Sequence, residues 1–167
     1  MTTLFGYICS AGSLSFTAWV TSIGIFAMAC SAAVLNHLQE KNTDALMNRT
    51  KKRPLPSGKV SSTFAFALAL GLFVSGSVVL LVFTNFLTFV LGFSALIWYN
   101  LIYTPLKMKH FIAIIPGSVI GALPPIAGWA AAGGNILDPQ ILTIAFFFFI
   151  WQIPHFWLLL LLYRSDY

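Results

Sequence analysis

The sequence predicts an all-α membrane protein: a polytopic helical bundle of about five full transmembrane helices preceded by part of one more. Three observations carry that reading. Of 167 residues, 59% are hydrophobic and 8% charged, whereas a water-soluble domain carries about a quarter charged residues. The uncharged runs are too long to be buried strands or core helices of a soluble fold, and the mean hydropathy is +0.88. The cations gather in a few loops instead of spreading over a surface. A soluble enzyme, a DNA-binding module and a disordered tail are excluded together.

The elements follow in order from the roughly 20 apolar residues that a spanning helix needs. Residues 1 to 39 carry no charge apart from His37, and the weak turn Ala11-Gly12-Ser13 divides them. It leaves a short piece, unable to cross alone, and a span from about Leu14 to His37. Met1 to Phe5 lacks a basic leader, so no cleavable signal peptide is expected. The stretch Val60 to Leu106 breaks near Thr84-Asn85 into spans of about 62 to 83 and 86 to 104. Two more spans run from Phe111 to Ala132 and from about Gln140 to Tyr163. Pro124-Pro125 and Pro154 fall inside these last spans and are expected to break or kink them, with the irregular backbone set against protein or a cavity. Gly117, Gly121 and Gly128, with Ser118 and Ala122, make one helix small-faced and fit for close packing. Cys9 and Cys30 sit in apolar runs without metal-ligand spacing and read as packing residues.

Nine Lys/Arg stand against four Asp/Glu, and six of the cations fall between Lys41 and Lys59. Such a juxtamembrane cluster marks a cytoplasmic loop lying against anionic lipid; no nucleic-acid partner is expected. Residues 41–59 with Lys107-Met108-Lys109 carry eight of the nine cations, and the loop Gly133 to Pro139 has none. Threading alternate helices puts Arg164 on the same side, so every cation is expected on the cytoplasmic face.

Asn36, Glu40 and Asp44 are spaced four apart. On a helix each step of four advances only about 40°, so the three oxygen-bearing side chains form a stripe on one face. Oxygen ligands at that spacing suit Mg²⁺, which takes one or two carboxylates and completes its shell with substrate phosphate and water. A solvated helix end, its acids paired with Lys41 and Arg49, is the plainer alternative. Arg49, Lys52 and Arg53 follow within a few turns, a guanidinium and ammonium cradle suited to a diphosphate.

Asn36-x-x-x-Glu40-x-x-x-Asp44 followed by Met47-x-Arg49-Thr50-x-x-Arg53-Pro54-Leu55 resembles the first aspartate-rich motif of the UbiA-type intramembrane prenyltransferases. The wording is similar to the haem O synthase branch of that family. Tyr103-Thr104-Pro105-Leu106-Lys107, the segment Gly117 to Trp129, and Trp151-Gln152-Ile153-Pro154-His155-Phe156 agree with that branch. The Trp-Gln-x-Pro-His segment separates it from the quinone and chlorophyll prenyltransferases. One departure is Glu40, where the family usually has Asp; the extra methylene still delivers a carboxylate.

The resemblance implies a UbiA-type bundle in a bacterial inner membrane, with residues 41–59 as its cytoplasmic substrate-binding loop. It implies transfer of a farnesyl group from farnesyl diphosphate to a vinyl group of haem B, giving haem O. It implies Mg²⁺ bridging the diphosphate, and assembly partners in the haem pathway or at a terminal oxidase. By this likeness Asn36, Glu40, Asp44 and Asp166 form the catalytic and metal-binding set, and Arg49, Lys52, Arg53, Tyr103 and Lys107 bind substrate. The chain looks like an N-terminal and central fragment of the larger family bundle, a single membrane domain over 1–167 that stops where the second acidic motif opens at Asp166.

His155 is an intramembrane histidine and for that reason a functional candidate. Two readings stay open: contact with haem, as axial ligand or through a propionate, or a hydrogen bond to a carbonyl freed by Pro154. His110 reads as surface. Two rival functions remain, a UbiA-type enzyme acting on an aromatic or quinone precursor, and a transporter built from Pro-broken helices. The ionisable groups gather at one membrane face, which speaks against a path through the bilayer.

Overall fold

The computed structural model describes residues 1–107 and 110–162, with all their side chains but those of Phe111, Leu159 and Leu160. In chain order it contains α1 (Thr2–Ala11), α2 (Phe16–Gln39), α3 (Lys41–Leu46), α4 (Ser62–Phe83) and α5 (Phe86–Ile97). A π-helical segment (Trp98–Tyr103), α6 (Thr104–Lys107), a 3₁₀ turn (Phe111–Ala113), α7 (Ile114–Ala131) and α8 (Pro139–Leu162) follow. No strand occurs among the described residues. Five helical stretches are long and apolar enough to cross a membrane: α2, α4, the run Phe86–Lys107, α7 and α8. With the short α1 they match the expected spans, and the protein is a multi-pass helical membrane protein.

Local chemistry sets most of the boundaries. Gly12 adopts φ 73° and returns its N–H to the Ile8 carbonyl, ending α1 in a left-handed cap that a side chain would strain. Ser15 caps α2 and also meets the Tyr7 hydroxyl at 2.7 Å, tying the first two helices together. Asn85 breaks the long apolar run between α4 and α5: its Oδ1 accepts from the Thr88 N–H at 2.8 Å while its Nδ2 donates to the Ala130 carbonyl at 2.7 Å. Asp138, the one acid on the cation-free side, accepts the Gln140 N–H at 2.8 Å and starts α8 with Pro139 in the first turn.

Lipid offers no hydrophobic drive between helices, so close packing and interhelical hydrogen bonds hold them. α2 packs chiefly on α4, where buried Ser31 donates to the Ala69 carbonyl at 2.8 Å. α7 is the hub, touching α1, α2, α5 and α8. Its small residues serve different neighbours. Gly128 lets the Thr3 carbonyl of α1 approach its backbone, and Gly6 of α1 does the same for Pro125. Gly117 and Gly121 lie under Tyr103 and Gln152.

The break expected at the prolines does not occur, and one further expectation changes. α7 runs through Pro124 and Pro125, and α8 through Pro154, without interruption. Proline removes one donor and crowds one carbonyl, but α7 is braced on several sides, and Ile120 and Gly121, whose carbonyls lose their donors, line a cavity. The third span is not a uniform helix either, since Trp98–Tyr103 widens into π geometry. Pro105 supplies the reason: it cannot donate to Leu101, and its ring would strike that carbonyl in a regular α-helix.

Candidate functional site

The α2–α3 junction carries the first cluster. α2 stops at Gln39, Glu40 sits between the helices at φ −95° and ψ 6°, and α3 restarts at Lys41. The Asp44 N–H still reaches the Glu40 carbonyl at 2.7 Å, so the four-residue spacing survives the interruption. Asn36, Glu40 and Asp44 are only 5%, 8% and 4% exposed, which removes the solvated-helix-end alternative.

Each acid has a specific partner. Asn36 Nδ2 donates to Glu40 Oε2 at 2.9 Å, and Lys107 Nζ lies 2.9 Å from Glu40 Oε1 and 3.2 Å from Asn36 Oδ1. Asp44 Oδ2 accepts from the Arg53 guanidinium at 2.8 Å, and its backbone carbonyl accepts from buried Thr50 at 2.8 Å. Lys41 turns instead to Ser62 Oγ at 3.2 Å. The expected stripe therefore divides into two linked ion pairs, Glu40 with Lys107 and Asp44 with Arg53. Arg49 and Lys52 are exposed on the loop, Arg49 with an interaction of its own.

Lys107 arrives because the π segment adds one residue to a turn, rotating everything after it by roughly 100°. Side chains bond to carbonyls around this turn. Asn100 Nδ2 donates to Leu96 at 3.0 Å, Gln39 Nε2 to Asn100 at 3.3 Å, and Thr104 Oγ1 to Tyr99 at 2.8 Å. Trp98 Nε1 ties the segment to the Pro116 carbonyl of α7 at 2.9 Å.

Tyr103 joins this polar cluster to a cavity of about 570 Å³ between the π segment, α7 and α8. Lys107 Nζ stands 5.2 Å from the centre of its ring, and Phe156 packs 5.8 Å away. Tyr99, Trp151 and Phe148 add aromatic walls, Gln152 and His155 polar ones. His155 is exposed and makes no hydrogen bond to another described residue, which removes the bond to a Pro154-freed carbonyl as its explanation there. Asn36, Glu40 and Asp44 do not line this cavity; they are reached from it through Tyr103 and Lys107. Asp166 lies outside the described residues. Sequence reading passed over Thr104, Tyr99 and Gln152. The first and last stand within the segments that carried the family likeness, but nothing in their spacing assigns them a contact.

A model of the UbiA prenyltransferase family matches residues 1–167. The chain belongs to the UbiA prenyltransferase family. It is 37% identical over 155 residues to a protein named protoheme IX farnesyltransferase from Oleidesulfovibrio alaskensis, across 93% of this chain and 55% of that one. It is 42% identical over 151 residues to one of the same name from Geobacter sulfurreducens, across 90% and 56%. A third, from Shewanella oneidensis, is 45% identical over 146 residues, across 87% and 48%. The chain spans about half the length of the curated relatives it matches. No solved structure matches it.

UbiA prenyltransferases generally use a divalent metal that bridges the diphosphate of their substrate. Among the described residues no three His, Cys, Asp or Glu side chains gather to hold a metal by themselves. The residues present nonetheless fit such an ion. Asn36 Oδ1 and the Glu40 carboxylate are buried oxygens, and the Lys107 ammonium already occupies a cation's place between them. A hard cation needs only one or two carboxylates when phosphate and water supply the rest of its shell.

Proposed function

We propose that this chain supplies a diphosphate-binding wall and part of the acceptor cavity of an enzyme that transfers a farnesyl group from farnesyl diphosphate to a vinyl group of haem B, forming haem O. The observation that carries this reading is the junction of two ion pairs with buried acids, Glu40–Lys107 and Asp44–Arg53, with an aromatic cavity through the Tyr103 ring. The names of the relatives support the choice of substrates.

Asn36, Glu40 and Asp44, with Asp166, would hold Mg²⁺, which when bound neutralises the leaving diphosphate. Lys107 and Arg53 are ready to turn from their carboxylates to the phosphate oxygens, with Arg49 and Lys52 at the loop surface. The C–O bond to the allylic carbon breaks and its electron pair leaves with diphosphate. The vinyl π electrons then form the new C–C bond, and water adds to the cation left on the porphyrin side, giving a hydroxyethylfarnesyl group and a released proton. Tyr103, Tyr99 and Phe156 exclude water and present π faces to the allylic cation. His155 and Gln152 are placed to meet polar groups of the acceptor, a haem propionate or the iron for His155. Residues 41–59 face the cytoplasm of a bacterial inner membrane, within a single membrane domain, and a terminal oxidase assembly or another haem-pathway protein receives the product.

The test is the pigment that copurifies with the protein from membranes, together with farnesyl transfer by the Asp166→Asn variant in the full-length enzyme. Haem B or haem O in the extract and lost transfer by a folded variant are expected. A quinone precursor in place of haem would assign the chain to the aromatic-acceptor branch, and normal haem O production by Asp166→Asn would remove the two-cluster site.

A further inference from the structure

Thr104 is 2% exposed and bears the first hydroxyl after the π segment. Its Oγ1 lies 2.8 Å from Asn36 Oδ1 and 2.8 Å from the Tyr99 carbonyl oxygen. A hydroxyl has one proton to give and here has two acceptors at the same distance. The Tyr99 carbonyl does not depend on that proton, because it already accepts the Thr104 backbone N–H across the π turn. Asn36 has more at stake. Its Nδ2 is committed to Glu40, so its Oδ1 faces Lys107 and Thr104 and is the one oxygen of the amide available to a cation.

We propose that Thr104 is a positioning residue whose hydroxyl holds Asn36 Oδ1 toward the Glu40–Lys107 pair and withdraws to the Tyr99 carbonyl when a substrate-borne cation takes that oxygen. The proposal rests on reading Asn36 and Glu40 as part of the diphosphate site. With the hydroxyl in its first position the Asn36 amide is held by three partners and cannot rotate its oxygen away. In the second position Oδ1 is free to ligate, and no buried donor is left unsatisfied, which removes the desolvation penalty that handing over a buried hydrogen bond ordinarily carries. The π geometry is what places both acceptors within reach of one hydroxyl; a uniform helix would turn Thr104 by about 100° away from α2.

The experiment titrates inorganic diphosphate, with and without Mg²⁺, into the detergent-solubilised protein and its variants, with thermal unfolding as the folding control. Thr104→Val, which keeps the shape and removes the hydroxyl, is expected to weaken Mg²⁺-dependent binding tenfold or more and to raise the Mg²⁺ concentration needed. Thr104→Ser should stay within threefold of the parent. In an Asn36→Ala background Thr104→Val should add less than twofold, because the residue it acts through is gone. Should the valine variant fail to fold, Thr104→Ala carries the same comparison. A Thr104→Val protein that binds within threefold of the parent, or whose penalty is the same with and without Asn36, overturns the proposal. Unchanged binding by Asn36→Ala and Glu40→Gln, or no Mg²⁺-dependent binding by the parent, overturns the underlying reading of the site instead.

Discussion

Lys107 lies 71 positions beyond Asn36 in sequence, yet its ammonium settles 3.2 Å from the Asn36 oxygen and 2.9 Å from Glu40. Its side chain is about a quarter exposed and that of Glu40 about a tenth, so neither charge is well hydrated. Removing one partner of such a pair leaves the other buried and uncompensated, and that penalty exceeds the net value of the pair. Lys107→Met is therefore expected to destabilise the protein by roughly 3 kcal/mol. Adding Glu40→Gln to it should recover part of the loss, since the stranded charge is then gone. Thermal unfolding of the single and double variants in detergent checks both statements; a double variant less stable than Lys107→Met would show that Glu40 is not the group left stranded. The neighbouring pair rests on a single contact, Arg53 Nη1 to Asp44 Oδ2 at 2.8 Å.

The helices are held by what their side chains leave out. At Gly128 a Cβ would run into the Thr3 carbonyl, and at Gly6 into that of Pro125, so α1 and α7 touch backbone to backbone at two levels. Gly128→Leu has no flexible neighbour to push aside and must separate the helices. A loss at the upper end of the usual range for overpacking, about 3 kcal/mol, is expected, with α1 detached while the rest of the bundle stays helical. Protease sensitivity near residues 12–15 together with circular dichroism reads this out; an unchanged digestion pattern would contradict the packing. Gly71, which meets nothing within 4 Å, is the matched control, and leucine there should be tolerated. The π segment belongs to the same scale. Pro105 at position two of α6 forces a wider turn, and side chains from three residues bond to carbonyls around it.

For the whole molecule, the two ion pairs and the loop Met47–Ser61 lie at one end of the bundle, and Gly133–Asp138 lies at the other. The orientation proposed from the cation distribution turns the first end toward the cytoplasm. With Cys9 and Cys30 replaced by serine, Lys59→Cys should react with a membrane-impermeant maleimide only after cells are opened, while Leu137→Cys should react from outside. The reverse pattern would invert the topology and place the diphosphate site on the wrong face for a cytosolic substrate.

Sequence alone determined the class, the number of spans and the position of almost every break, because length, hydropathy and capping residues such as Gly12, Ser61 and Asn85 act locally and leave their mark in the chain. It also pointed to Asn36, Glu40 and Asp44, whose spacing of four survives even the interruption at Glu40. It missed how those groups are shared out. That Glu40 belongs to Lys107 and Asp44 to Arg53, that Thr104 reaches Asn36, and that Tyr103 stands between the charges and the cavity are facts of tertiary structure. Each depends on the phase of the third span relative to α2, and that phase is set by a π turn whose one added residue has no signature in hydropathy. A burial pattern averages over turns and is blind to a single inserted residue, whereas a hydrogen bond of 2.8 Å is decided by it.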